Sequence, residues 1–158
     1  MKRLVLIPTV LAVMALGVFP VAFASHSTPF NGSSSGSFTL TSQTTATITG
    51  TGHLEHLGKT SFAATSTVTG SASCHNGLTA TEQDTFTAAN GDKLFASADE
   101  VLCPTSADTF ALSGPLTITG GTGRFEHASG TGSVQISGVM TSMTSGTFSA
   151  TTTGTITY

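Results

Sequence analysis

In SFTLTSQTTATIT, residues 37–49, apolar and hydroxyl-bearing side chains alternate on both sides of a short polar break. Phe38 and Leu40 alternate with serine and threonine before the break, and Ala46 and Ile48 alternate with threonine after it. Successive side chains of a β-strand point to opposite faces, so this period of two predicts strands with one apolar face and one hydroxyl-rich face. Threonine is β-branched and polar, which suits the wet face of a sheet.

The same alternation recurs along the rest of the chain, and turn signals divide it into separate strands. Asn76-Gly77 and Asn90-Gly91 predict hairpin turns, because Asn and Gly accept the positive φ that tight turns need. The first two strands could also form one long strand with a bend. Strands are predicted near residues 37–42, 44–54, 60–73, 78–88, 93–102, 107–119, 131–141 and 146–157.

Strands that are apolar on one face must bury that face, either by stacking two sheets or by closing one sheet on itself. Closure also removes the exposed edges that threonine-rich strands would otherwise present. The sequence therefore predicts an all-β fold: a single closed antiparallel β-barrel of about eight strands, up-and-down and calycin-like, over residues 37–158.

The N-terminal residues read as a targeting segment. Lys2 and Arg3 precede an apolar run, and Ala22-Phe23-Ala24 offers the small-x-small pattern of a cleavage site. Residues 1–24 are therefore predicted to be a signal peptide, residues 25–36 a flexible lead-in, and the protein secreted, periplasmic or extracellular. No stable membrane association is expected after cleavage; an uncleaved anchor is the alternative, which the cleavage site and the prolines in the run disfavour.

The charge of the mature chain limits its possible partners, and its two cysteines predict a crosslink. After cleavage the chain keeps three basic residues (Lys59, Lys93 and Arg124) and eight acidic residues, which gives a formal charge of −5. It therefore lacks the basic face that nucleic acid requires. Cys74 and Cys103 form an even pair, which in an oxidising compartment predicts a disulfide, with two buried thiols as the alternative. Up-and-down order places both at one end of the sheet and two strands apart, so their loops must bend together.

A seven-residue motif that occurs twice, here called the echoed motif, contains candidate metal ligands. GTGHLEH at residues 50–56 matches GTGRFEH at residues 121–127 in five of seven positions. One interpretation is that the side chains converge on a metal or transfer protons. The favoured one is that Gly-x-Gly forms a backbone corner beside solvated loop residues, so no metal or other cofactor is expected. The weak metal candidates are His53, Glu55, His56, Glu126 and His127.

The second copy lies in ITGGTGRFEHASG, residues 118–130, which resembles the Gly-Gly-(Ser/Thr)-Gly-x-Phe-x-x-Ala-x-Gly segment of the allene oxide cyclase and dirigent-like barrel superfamily. The corner at residues 89–92 and the Gly-x-Phe-x₅-Gly strand from Gly146 to Gly154 are similar too. The resemblance implies an eight-stranded barrel over about Phe38 to Tyr158. Members include an isomerase that cyclises a fatty-acid epoxide and proteins that steer phenoxy-radical coupling. Their polar and aromatic sites do not carry over, because this chain has one Tyr and no Trp.

Glu100 is the main inward polar candidate, since it follows Leu94, Ala96 and Ala98 in register. Burial would disfavour its ionised form, which is how catalytic acids arise. The alternative is a position near the barrel rim, in contact with water.

The predicted function is binding of a small hydrophobic molecule in the barrel interior. The alternatives are a cyclase or isomerase and a non-catalytic extracellular structural module, so whether the protein is an enzyme stays open. An enzyme predicts a polar cluster inside, a binder predicts an apolar void, and a structural module predicts neither. The residues predicted to line the interior are Phe38, Leu40, Phe62, Phe86, Leu94, Phe110, Leu112, Val134, Ile136, Phe148 and Ile156.

Overall fold

A computed structural model describes residues 26–158, most of which lie in one antiparallel sheet. The one helical element of this range is a 3₁₀ turn at Gly123–Phe125. The strands are β1 (Thr28–Pro29), β2 (Gly32–Leu40), β3 (Thr45–Leu54), β4 (Gly58–Ser71), β5 (Leu78–Ala88), β6 (Lys93–Pro104), β7 (Thr109–Gly121), β8 (Ser129–Met140) and β9 (Ser145–Thr157).

The sheet closes into a barrel. Each strand from β2 to β9 pairs antiparallel with the next, and β9 also pairs with β2, where Phe38 lies opposite Gly146. The short β1 pairs with the end of β9, with Thr28 opposite Ile156. The predicted all-β fold and closed up-and-down barrel of eight strands are confirmed, with β1 as one extra strand.

The predicted flexible lead-in over residues 25–36 is wrong for most of its length. Residues 28–29 form β1, and Gly32–Gly36 begin β2, between β3 and β9. The inward residues here are Gly32, Ser34 and Gly36, and a Cβ at Gly36 would meet the backbone of Thr49, so the strands approach closely because the inward residues are small. Residues 32–36 consist of glycine and serine, so this part of β2 has no apolar period that would predict a strand.

The signal peptide predicted for residues 1–24 lies outside the described residues. Within residues 26–158, none of the helical structure is long and apolar enough to span a bilayer.

One end of the barrel, here called the plug, is tightly packed. It is formed by the lead-in, the ends of β3, β6 and β9, and the β7–β8 connection, and each large side chain there is at most 4% exposed. Leu54 and Phe125 occupy equivalent positions of the two echoed motifs, and both are buried in it. Complete burial of such a side chain stabilises by roughly 1.5–3 kcal/mol. The plug side chains are Phe30, Leu54, Leu57, Leu94, Phe125 and Ile156.

The other end, here called the mouth, carries four loops, three of which share one structure. TSQTT (41–45), TSADT (105–109) and TSMTS (141–145) each turn by hydrogen bonds from the backbone N–H groups of their first two residues to the carbonyl of the fifth. We call these the rim loops. The fourth loop holds Cys74, which is bonded to Cys103 with their Cα atoms 6.0 Å apart. The predicted disulfide is confirmed, and it joins the β4–β5 loop to β6.

Candidate functional site

A cavity of about 360 Å³ occupies the barrel between the plug and the mouth. Its volume falls within the range of roughly 300–1,000 Å³ that small-molecule sites occupy. Leu40 and Leu78 stand at its mouth, with 38% and 36% of their surfaces exposed. A barrel of eight strands is near the size at which side chains either fill the interior or leave room for one ligand, and here they leave room.

Most of the predicted lining residues do border this cavity, and two do not. Leu94 and Ile156 lie in the plug instead, because β6 and β9 extend beyond the cavity into the packed end. Leu40, predicted to be interior, borders the cavity at its partly exposed mouth. The predicted residues that line the cavity are Phe38, Leu40, Phe62, Phe86, Phe110, Leu112, Val134, Ile136 and Phe148.

Cross-strand glycines help to explain why the interior is open. Phe38 lies opposite Gly146, and Phe110 lies opposite Gly138. A Cβ at either glycine would collide with the ring of its partner, so each ring lies flat over the neighbouring backbone. Rings that lie along the wall do not fill the centre. The two rings also meet edge to face, with centroids 5.5 Å apart.

One wall of the cavity carries three buried carboxyl groups. Glu82 and Asp84 project from β5, and Glu100 projects from β6, opposite Ala80. Their side chains lie halfway between the mouth and the plug, with 7%, 6% and 2% of their residue surfaces exposed. The structure places Glu100 inside, so the alternative of a water-exposed rim position is wrong; its catalytic role stays a prediction.

Burial is the largest influence on the acidity of all three groups. It raises the pKa of Glu82 to about 9, assisted by the charge of Asp84 and a hydrogen bond with it. Burial raises the pKa of Asp84 to about 6; the hydrogen bond from Glu82 opposes this rise and the charge of Glu100 adds to it. Burial and the charge of Glu82 raise the pKa of Glu100 to about 8. At neutral pH Asp84 therefore carries the charge, and both glutamates are mainly protonated.

The carboxyl groups have few protein partners. Neither oxygen of Glu100 has a hydrogen-bond partner within residues 26–158. No lysine, arginine or histidine of this range lines the cavity, whereas Asp108 adds a further acidic group at the mouth. The site therefore combines proton-exchanging carboxyls with apolar, largely aromatic surroundings. The cavity can hold the apolar part of a ligand, and its carboxyl groups can donate or accept hydrogen bonds at one wall.

Sequence reasoning identified Glu100 and missed Glu82 and Asp84, although a signal for them was present. Phe86 and Ala88 are inward on β5, and a period of two places Asp84 and Glu82 on the same face. Charged residues are seldom buried without a partner, so this inward acidic pair departs from the usual pattern.

The candidate metal ligands do not converge. His53, Glu55, His56, Glu126 and His127 are all exposed at the plug end. Glu55 accepts hydrogen bonds from Asn31, and the His56 Nε2 atom lies 2.9 Å from the carbonyl oxygen of Pro29, so these two side chains hold the lead-in. Across the described part of the chain, no three His, Cys, Asp or Glu side chains are grouped so that they could hold a metal ion.

Gly121 and Gly123 close the corner of the second echoed motif. Gly123 has a φ of +58°, the left-handed conformation that favours glycine, whereas Gly50 and Gly52 of the first echoed motif lie within β3, so the predicted Gly-x-Gly corner is wrong for that copy. Arg124 next to it donates a hydrogen bond to the His56 carbonyl, which ties the two echoed motifs together.

Comparisons with known proteins name no relative: no family model matches the chain, and searches of curated proteins and of solved structures find no match.

Proposed function

We propose that this protein binds a small hydrophobic molecule inside its barrel. The observation that carries the proposal is the cavity of about 360 Å³, lined by five phenylalanines and several aliphatic side chains and reached between the rim loops. Burial of apolar surface is the main driving force for such binding. A structural module with a packed interior would have no such space, so the cavity argues against that alternative.

An uncharged naphthyl fluorophore tests the proposal. We expect its emission to rise and shift to the blue at a ratio of one probe to one protein, and the melting temperature to rise by mass action. Ala150 lines the cavity, and the Ala150→Phe change should fill space there and weaken binding at least tenfold. Ser149→Phe is the matched control, because it adds the same ring to the outer face of the same strand. Equal binding by both variants would place the probe outside the barrel.

A second candidate is an acid–base enzyme, such as a cyclase or isomerase. Its specific support is that the pKa values of Asp84 and Glu100 are separated, at about 6 and about 8, so one carboxyl can accept a proton while the other donates one. The resemblance of residues 118–130 to allene oxide cyclase and dirigent-like barrels points the same way. An enzyme would return a chemically rearranged ligand, which chromatography detects, and Glu100→Gln would abolish the rearrangement without abolishing binding.

We also propose that the chain is exported and works outside the cytoplasm. The Cys74–Cys103 disulfide supports an oxidising compartment. N-terminal sequencing of protein recovered from its native export route should begin at Ser25. Protein that retains residues 1–24 would contradict the proposal.

A further inference from the structure

We propose that the ligand is an apolar primary amine, whose ammonium group binds at the wall that carries Glu82, Asp84 and Glu100 while its hydrocarbon part lies among the cavity phenylalanines. This inference rests on the proposed function, since it names the chemical class of the molecule that the cavity holds.

The first reason is that the cavity wall formed by these carboxyls has no basic partner among residues 26–158. Buried carboxylates are normally paired with a basic side chain or a metal, because removing a charge from water is costly. Here the lining residues within 26–158 include four acidic side chains and no basic one. A ligand cation would supply the missing charge.

The second reason is the state of Glu100. Glu100 is 2% exposed and borders the cavity, and both of its carboxyl oxygens lack a hydrogen-bond partner in the described part of the chain. An unpartnered buried polar group costs roughly 1–3 kcal/mol, more when it is charged. A primary ammonium has three N–H donors, as a lysine side chain does, so one ligand group can serve several carboxyl oxygens.

The third reason is the aromatic surroundings of the carboxyls. Phe86 is the next inward residue after Asp84 on β5, and Phe62 lies opposite Phe86 with ring centroids 5.8 Å apart. The faces of aromatic rings attract ammonium groups, and carboxyl groups beside rings favour an amine over a neutral alcohol. The acidic Asp108 at the mouth favours the approach of a cation in the same way.

Three probes with the same hydrocarbon chain test the inference: octylamine, 1-octanol and octanoate. At pH 7 they are cationic, neutral and anionic respectively, because an alkylamine titrates like lysine and an alkanoic acid like glutamic acid. We expect titration calorimetry to show octylamine binding at least tenfold more tightly than octanol, and octanoate more weakly than both. Octylamine binding at pH 7 should also release protons, because the ammonium favours the ionised carboxyls; calorimetry in buffers of different ionisation enthalpy measures this release.

Carboxamide variants test whether the carboxyl groups cause the preference for octylamine over octanol. Combining Asp84→Asn with Glu100→Gln should bring the affinity for octylamine to within about threefold of that for octanol. Asp99→Asn is the matched control, because Asp99 is the exposed neighbour of Glu100 on the same strand, and this variant should keep the full preference. The single change Glu100→Gln serves if the double variant does not fold, and it should lower the preference at least threefold.

The outcomes separate the two proposals. If octanol binds in the cavity as tightly as octylamine, or if the amine preference survives the carboxamide changes, the amine inference is overturned and the binding function stands. If the naphthyl fluorophore and all three octyl probes fail to bind, the proposed function itself is wrong.

Discussion

The two ends of this barrel use the same alternating strands for different purposes. At the plug, large side chains such as Phe30, Leu54 and Phe125 meet in the centre and exclude solvent. Toward the mouth, the rings of Phe38 and Phe110 pack against glycines of neighbouring strands and leave a space that is bordered by carboxyl groups. Strand alternation therefore defines which face is inward, while the size of the inward residues and of their cross-strand partners decides whether that face is packed or hollow.

The largest expected difference between the ends is in the cost of losing an aromatic ring. Phe125→Ala should lower the free energy of unfolding by roughly 3–5 kcal/mol, because it leaves a void in a packed region. Phe110→Ala should cost about 1–2 kcal/mol, since its partly exposed ring already borders open space and makes fewer contacts. Urea unfolding monitored by circular dichroism measures both values. Equal costs would mean that the mouth is as tightly packed as the plug.

The disulfide should supply at the mouth the stability that packing supplies at the plug. The two cysteines are 29 residues apart, and closing such a loop stabilises by about 3–4 kcal/mol in the chain-entropy model. Cys103→Ser should therefore lower the melting temperature, and reduction of the wild type should have the same effect. Thiol alkylation of the unreduced, denatured protein is the control. Two reactive thiols in that protein would contradict the bond.

The three buried carboxyl groups of the cavity wall should make stability depend on pH. Glu82, Asp84 and Glu100 titrate near pH 4 when unfolded, whereas the folded protein holds their pKa values at about 9, 6 and 8. Between these limits the folded state binds more protons, so stability is greatest at low pH and falls as the pH rises, until it levels off above about pH 9.

The melting temperature should therefore fall by at least about 3 °C, equivalent to about 1 kcal/mol, between pH 5 and pH 9. Scanning calorimetry measures it. Exchanging the two glutamates and Asp84 for carboxamides should flatten the profile, and Asp99→Asn should leave it as in the wild type. Asp108 also lines the cavity, but it lies in an exposed rim loop and is left unchanged in these variants. A wild-type profile that rises over this range would show that the three groups are ionised when folded.

Changes at single turn positions should range from a moderate loss of stability to almost none. Gly123→Val should cost roughly 1–3 kcal/mol, because a β-branched residue at a φ of +58° is strained and its side chain would collide with Asp92. Gly123→Asn should cost less, since asparagine tolerates this conformation. Met143→Val, in a rim loop and 94% exposed, should change stability by less than about 0.5 kcal/mol. Thermal unfolding of the three variants ranks them; a neutral Gly123→Val would show that the corner can relax.

The sequence predicted the fold better than the site. Seven of the eight predicted strands overlap their structural counterparts closely, because buried residues recur with a period of two along them and turn residues separate them. The strand that begins at Gly32 started earlier than predicted because its inward residues are small rather than apolar. The nine predicted residues that line the cavity were found by the same alternation, and Leu94 and Ile156 were misplaced because alternation specifies a face and not a height along the barrel axis.

The strands and their hydroxyl-rich outer surface could be predicted from the sequence because they depend on a period of two, and the disulfide could be predicted because the chain has one pair of cysteines. Only the tertiary structure decided that the interior is hollow and acidic on one wall. Whether Phe38 lies over Gly146 depends on a contact between residues more than a hundred positions apart, which barrel closure sets. The pKa values of Glu82 and Asp84 likewise depend on burial by the whole barrel, because desolvation is a property of everything that surrounds a group and not of its place in a strand.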